Sequence, residues 1–450
     1  MKTKKFDVKN TTIFYAILCC LIFSPLLNAQ VTIGADKAPV EGAILQLKMD
    51  DNISENSKKG LILPRVNLQD KNNLFPMFEA DGNDYKLGGI VYSKTDEDLK
   101  HIGLAIYNTN FCLNQTGHSN GPYIWNGNQW QSLISQDPIY PVKSFTDSRD
   151  GEVYTYRKFG DAGIWMLENL RIKRLPGSTN NIPIFDNTSN QTPFMAYPAP
   201  NEHQVETWKN SKYYDENPKL GVLYNWFAAT NTTSSTAIGN VEQMQEFPLG
   251  GTIGQNEVEN MGPLSDPSNP SVKFVQGICP DGWHLPSDRE WNALEKHIYQ
   301  NADQYSMYTP EQANQWNTAY PWDDKWEYGM TLNSFEWRGV PNDGTSGHGY
   351  AMMAPCGYYG ATRGKSNSYW QGGFYALLAG MIRGTDAQYF YGMGASFWTS
   401  SSAIDPASGT DYNAWYRQIY NDQRGVRVLR YHNSRTFLQS VRCKKNNNEM

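Results

Sequence analysis

The sequence predicts an α+β protein in which a small β-rich N-terminal region precedes a larger domain with irregular loops. Three observations lead there. Residues 30–135 break into short apolar runs bounded by Gly, Asp or Asn, the pattern of strands and tight turns. Residues 288–299 carry the one strong amphipathic helix signal. Between 144 and 445, brief apolar segments alternate with long stretches rich in Asn, Pro, Gly and Tyr, which read as loops.

The chain opens with Lys2, Lys4, Lys5 and Lys9, runs through the apolar stretch Ile13–Phe23, and reaches Leu27-Asn-Ala29 before Gln30. Residues 1–29 therefore read as a secretory signal cut after Ala29. The apolar run is shorter than the roughly 20 residues a spanning helix needs, so no integral membrane span is expected after cleavage. Cys19 and Cys20 leave with the signal, and Leu18 stands where a lipid-anchoring signal wants a small residue. Cys112, Cys279, Cys356 and Cys443 remain for an oxidising compartment, with three pairings open.

In residues 30–135 the strand candidates are Gln30–Gly34, Ala43–Leu47, Gly60–Val66, Gly89–Tyr92 and Leu104–Tyr107. Asn126-Gly127, between Trp125 and Trp130, signals a two-residue hairpin turn. Such a region fits a small domain, a trimerising stalk or an extended spacer. Residues 136–143, with Pro138 and Pro141, form the expected linker. The domain over 144–445 opens with the turn Asp150-Gly151 and a strand through Val153, Thr155 and Arg157, then a second strand at Ile164–Leu170. Residues 173–220 read as a polar surface insertion, Gly221–Ala229 as a return to the core, and 231–272 as loop. Residues 446–450 are expected to be a disordered tail.

The segment Gly277–Trp291 is the most readable. Cys279-Pro280 starts a turn that Asp281-Gly282 completes, and Trp283 follows as a large anchor. Ser287 is an N-cap and Glu290 completes a capping box for the helix Asp288–Tyr299, whose Trp291, Leu294 and Ile298 share one face. An echo comes late in the chain, in Phe397-Trp398-Thr-Ser-Ser-Ser402, Ala414-Trp415-Tyr-Arg417 and Val441-Arg442-Cys443.

Together with Trp165-Met-Leu-Glu-Asn169-Leu-Arg171 and Leu223-Tyr-Asn-Trp226-Phe-Ala-Ala229, these motifs resemble, in order, the signatures of the Fibrobacter succinogenes major paralogous domain over about residues 144–445. That family is similar to the C-type-lectin-like architecture, in which a cysteine at a helix start pairs with one on the last strand. The resemblance therefore implies a Cys279–Cys443 disulfide and structural roles for Trp165, Asn169, Trp226, Trp283, Ser287, Glu290, Trp291, Trp398, Trp415 and Arg442. Residues 30–135 also resemble leaders of Bacteroidetes surface proteins, at Gly60-Leu-Ile-Leu-Pro-Arg65 and Tyr107-Asn-Thr109. The resemblance implies export to the cell surface, to the outer membrane or beyond.

Chemistry is sparse. With 39 Lys+Arg against 45 Asp+Glu, no basic excess exists to hold nucleic acid. His284 near Asp281 and Asp288 is explained by the turn and cap, no nucleophile elbow surrounds Ser400–Ser402, and Cys356 lacks a His partner. The copper-binding cysteine pair of formylglycine-generating oxidases, which share the C-type-lectin-like architecture, has no counterpart. Asp303, Asp323 and Asp324 lack the spaced oxygen ligands of a calcium loop, and no Cys/His cluster has zinc spacing. No catalytic residue, metal site or cofactor is expected. What stands out is the Tyr358–Trp398 stretch, where rings mix with Arg and Asn among glycines. Trp370, Arg383, Tyr389 and Tyr391 are the candidate ligand contacts. The expected function is recognition or adhesion toward a glycan or protein ligand, with a subunit of a surface assembly, such as a fimbrial tip, as the alternative.

Overall fold

The computed structural model describes residues 31–446, except 35–37, 42, 53–54, 114–118, 134–141, 187–191, 201–207, 233–241, 246–256, 262–263, 267–268, 324–335, 339–346, 357–363, 384–386, 406–409 and 423–424. The expected secretory signal and most of both the expected linker and the expected tail lie outside these residues. The chain divides into two compact units, Met1–Pro64 and Arg65–Met450. In the first, Val31–Ile33 pairs with Leu45–Leu47 as a two-stranded parallel sheet.

The second unit begins with a four-stranded sheet ordered Arg65–Val66, Ala105–Asn108, Gly121–Trp125, Trp130–Ser132. A three-stranded meander spans Glu79–Asp81, Asp84–Leu87 and Ile90–Tyr92. Leu68, Leu74, Tyr85, Ile106, Trp125 and Trp130 close a small core of their own. Two expectations are corrected here. A short helix, Lys94–Lys100, capped by the Ser93 side chain, follows the meander. Trp125 pairs with Trp130, so the hairpin loop holds Asn126–Gln129 instead of two residues, and the Asn126 side chain accepts from the backbone N–H of Asn128 and Gln129.

The rest of this unit is built on three large sheets, beside the two-stranded pair Leu264–Asp266 with Asn269–Phe274. One orders Lys143–Thr146, Val153–Lys158, Ile164–Met166, Lys444–Lys445 and Trp283–His284. A second orders Met195–Ala196, Leu223–Asn225, Leu438–Gln439, Met381–Arg383 and Ala387–Tyr389. The largest runs Glu242–Gln245, Glu257–Met261, Gly394–Asp405, Thr410–Asp422, Gly425–Ser434 and Glu336–Arg338. The architecture is thus β-rich α+β. Strands also occupy part of 231–272, expected as loop, because the ladder offered by Gly394–Asp405 pairs a segment too polar to show alternation.

The helix Asp288–Gln300 carries the capping box of Ser287 and Glu290 and buries Trp291, Leu294 and Ile298 completely. The C-terminal segment ties the three sheets together. Leu438–Gln439 pairs in the second sheet, Ser440 bridges to Phe397 in the largest, and Lys444–Lys445 inserts between strands of the first. The segment thereby links two hydrophobic clusters, with Leu438 in one and Val441 and Cys443 in the other.

Candidate functional site

The motif residues build a frame. Cys279 and Cys443 are disulfide-bonded and fully buried. Trp283 stacks on Phe145 at 4.7 Å, and Trp165 meets Trp291 edge-on at 5.1 Å while donating its indole N–H to the Ala162 carbonyl. Trp226 donates to the Thr399 carbonyl and Trp398 to that of Tyr224, which pins the two sheets together. Arg442 donates to the Asn169 side chain and to the carbonyls of Phe374 and Tyr375, and Asn169 in turn donates to Leu220. Trp415 lies beneath the Arg430 guanidinium, 3.9 Å from its ring centre.

Two charged clusters sit inside this frame. Glu295, wholly buried, faces Arg417, Arg338 and His348, and Asp288 faces Arg417 and Arg430. Nearby, Glu290 closes the helix cap, meets the buried His284 ring at 3.0 Å and accepts from Lys444 at 2.7 Å. The Glu295 cluster is closed to solvent, whereas Glu290 and Lys444 keep 19% and 14% of their side-chain surface exposed. Burial alone would raise both carboxyls, but Arg338 and Arg417 hold Glu295 down at about 2, and His284 and Lys444 hold Glu290 well below the usual range. Burial lowers His297.

The signs give a pH profile. A depressed carboxyl stabilises the fold above its unfolded value near 4.3 and loses that contribution as pH falls toward its folded value. A depressed histidine weakens the fold as pH drops below its unfolded value of about 6.5. Urea midpoints are therefore expected to slip below about pH 6.5 and to fall steeply between about pH 5 and 2. A midpoint unchanged at pH 3 would refute the carboxylate assignments.

The ring candidates divide by exposure. Trp370 is 48% exposed, more open than the other tryptophans whose burial is described. It lies in the 3-10 turn Tyr369–Gln371, which Ser368 caps with a capping box to Gln371. Gly372 ends the turn in the left-handed region at φ 83°, and Arg157 donates to its carbonyl at 2.7 Å. A Cβ on Gly372 would stand 2.5 Å from the Arg157 guanidinium, so that position requires glycine. The Tyr369 ring supports Trp370 at 4.7 Å, and the Lys219 ammonium lies 4.3 Å from the centre of Tyr369 and 5.7 Å from that of Trp370. Lys219 is held there by the buried Glu168, which also accepts from Thr155.

Arg383 and Tyr389 lie diagonally across the paired strands Met381–Arg383 and Ala387–Tyr389, the guanidinium 4.6 Å from the ring centre. Arg383 is exposed and Tyr389 half-buried. Tyr391 corrects the expectation: it is 2% exposed and packs on Tyr213, so its ring belongs to the core. Lys219, Tyr369 and Glu168 were missed by sequence reasoning. Only Glu168, a lone acid within the apolar Trp165–Leu170, left a signal.

Cys112 and Cys356 form a second disulfide, which ties the N-terminal four-stranded sheet to the larger part of the unit. Two disulfides are compatible with an exported chain. Among the described residues no helix is long and apolar enough to cross a membrane, and no group of three His, Cys, Asp or Glu side chains is placed to hold a metal.

Residues 161–445, well over half of the chain, match the model of the Fibrobacter succinogenes major domain. The chain belongs to that family. The matched span takes in the helix, its cap, both charged clusters and every ring candidate. Residues 32–148 match a second model, described as a phage tail like trimerisation region. Compared with curated proteins and with solved structures, the chain finds no match in either.

Proposed function

We propose that this chain is an exported, non-enzymatic surface protein. Its Fibrobacter succinogenes major domain, C-type-lectin-like in architecture, recognises a glycan or protein ligand, and residues 32–148 hold copies together as a trimerising stalk. The observation that carries the recognition reading is the exposed Trp370 ring, on a turn fixed by a cap, a left-handed glycine and a buried arginine, in a domain where the other tryptophans of described burial are buried or half-buried. A rigid, wet indole can stack on a sugar face or fill a partner's pocket at small entropic cost. Lys219 and Tyr369 extend the patch, and Arg383 with Tyr389 offers a second contact. The cystine between the helix start and the last strand supports the lectin-like architecture.

The test is a glycan array probed with residues 30–450, with and without a calcium chelator. Trp370→Ala is expected to lower binding about tenfold or more while changing stability by under about 0.5 kcal/mol. Binding that survives in the variant would reject the patch. A blank array from folded, oxidised protein would favour the alternative, a structural or accessory subunit of a surface assembly such as a fimbrial tip. That alternative draws support from the many exposed aliphatic side chains in residues 31–133.

A further inference from the structure

In the Met1–Pro64 unit the pairing is parallel and in register, Val31 opposite Leu45 and Ile33 opposite Leu47. Because strand side chains alternate, these four aliphatic residues share one face of the pair, and Thr32 and Gln46 lie on the other. The apolar face is the open one. Val31, Ile33, Leu45 and Leu47 are 50%, 58%, 57% and 41% exposed, and Thr32 and Gln46 are half-buried. An ordinary half-covered sheet does the reverse.

Among the described residues of this unit the one buried side chain is Lys48, whose ammonium reaches the Ala38 carbonyl and Asp51. No hydrophobic side chain there is buried. Nine of the nineteen exposed large hydrophobic side chains in the described chain lie between Val31 and Ile62, so this is a concentration and not ordinary surface scatter. An isolated two-stranded pair is marginal in water, and one that shows its aliphatic face to solvent gains nothing from burial. A partner with an apolar face of its own would supply the cover that the described residues of this unit do not.

Resting on the stalk reading above, we infer that this face is the contact between three copies of the chain, each contributing Val31, Ile33, Leu45 and Leu47 to one shared core. The face carries no charge and no hydrogen-bonding side chain, so nothing on it selects a different partner, whereas an identical aliphatic face matches it fully. Copies related by a rotation axis bring equivalent residues together and close without leaving a face open. The segment would thus gain its apolar core only on assembly.

Sedimentation of residues 30–450 across micromolar concentrations tests this. The unaltered protein is expected at three times the chain mass, Ile33→Asp with Leu47→Asp at the mass of one chain, and Thr32→Asp, on the opposite face, again at three. Near-ultraviolet circular dichroism and thermal midpoints equal to those of the unaltered protein show that the variants keep a folded recognition domain. An unaltered protein at the mass of one chain overturns the stalk reading together with this inference. A threefold mass retained by the double aspartate variant, or lost by Thr32→Asp, overturns the face assignment and leaves the stalk reading standing.

Discussion

Glu295→Ala is expected to cost about 3–5 kcal/mol of unfolding free energy, because it removes one member of a buried ionic cluster and leaves the others charged. Glu295 is fully buried and lies against Arg338 at 3.3 Å and His348 at 3.4 Å, with the Arg417 Nε–H donated to it. Without its carboxylate, Arg417 and Arg430 retain Asp288 in direct contact, whereas Arg338 loses its carboxylate ion pair and keeps the hydrogen bond to the neutral Asn292 side chain. The three guanidiniums approach from three strands, so the repulsion set free acts between Glu336–Arg338, Thr410–Asp422 and Gly425–Ser434. Urea unfolding should show a lowered midpoint with an unchanged slope. A double-mutant cycle of Glu295→Met with Arg338→Met separates the pair from the desolvation of its members, and a positive coupling is expected. If Glu295→Ala costs under about 1 kcal/mol, the cluster is not a closed buried site.

That cluster also marks where sequence reasoning runs out. The helix Asp288–Gln300 was legible because its determinants are local: the Ser287 and Glu290 side chains reach one turn, and Trp291, Leu294 and Ile298 repeat at helical spacing. Glu295, four residues after Trp291 and three before Ile298, falls on that same face, but the spacing names no partner for its charge. Arg338 and Arg417, which supply one, come from distant strands. The same limit explains the rings. Trp370 and Tyr391 sit in similar Gly- and Tyr-rich surroundings in the sequence, and tertiary packing alone leaves one open and sets the other against Tyr213. Lys219 belongs to the stretch 173–220, which reads as a polar surface insertion with no period of its own although it buries Phe185, Phe194 and Trp208, and its place beside Trp370 follows from Glu168, 51 residues earlier. The Asn126-Gly127 pair signalled a turn correctly in kind, but the Trp125–Trp130 pairing decided the loop length. Strand pairing is set by cross-strand neighbours, and a short dipeptide signal carries no information about them.

Replacing Cys279 and Cys443 together by Ser is expected to cost about 2–5 kcal/mol, and more than the matching change at Cys112 and Cys356. Chain entropy alone ranks them the other way. Sequence separations of 164 and 244 differ by only about 0.3–0.4 kcal/mol in loop-closure free energy, in favour of the longer loop. Packing outweighs that difference. Cys279 and Cys443 are both fully buried, so the variant places two hydroxyls where a cystine filled an apolar core beside Trp283. Cys443 also accepts from Met166 N–H at 3.0 Å, next to Arg442 and one residue before the strand that enters the first sheet. Freeing it loosens the segment on which all three sheets converge. Cys112 is half-buried and lies outside that convergence. Guanidinium unfolding of the two double-serine variants decides between packing and loop entropy. A greater loss at Cys112 and Cys356 would mean that loop entropy governs and that the C-terminal segment holds its place without the bridge.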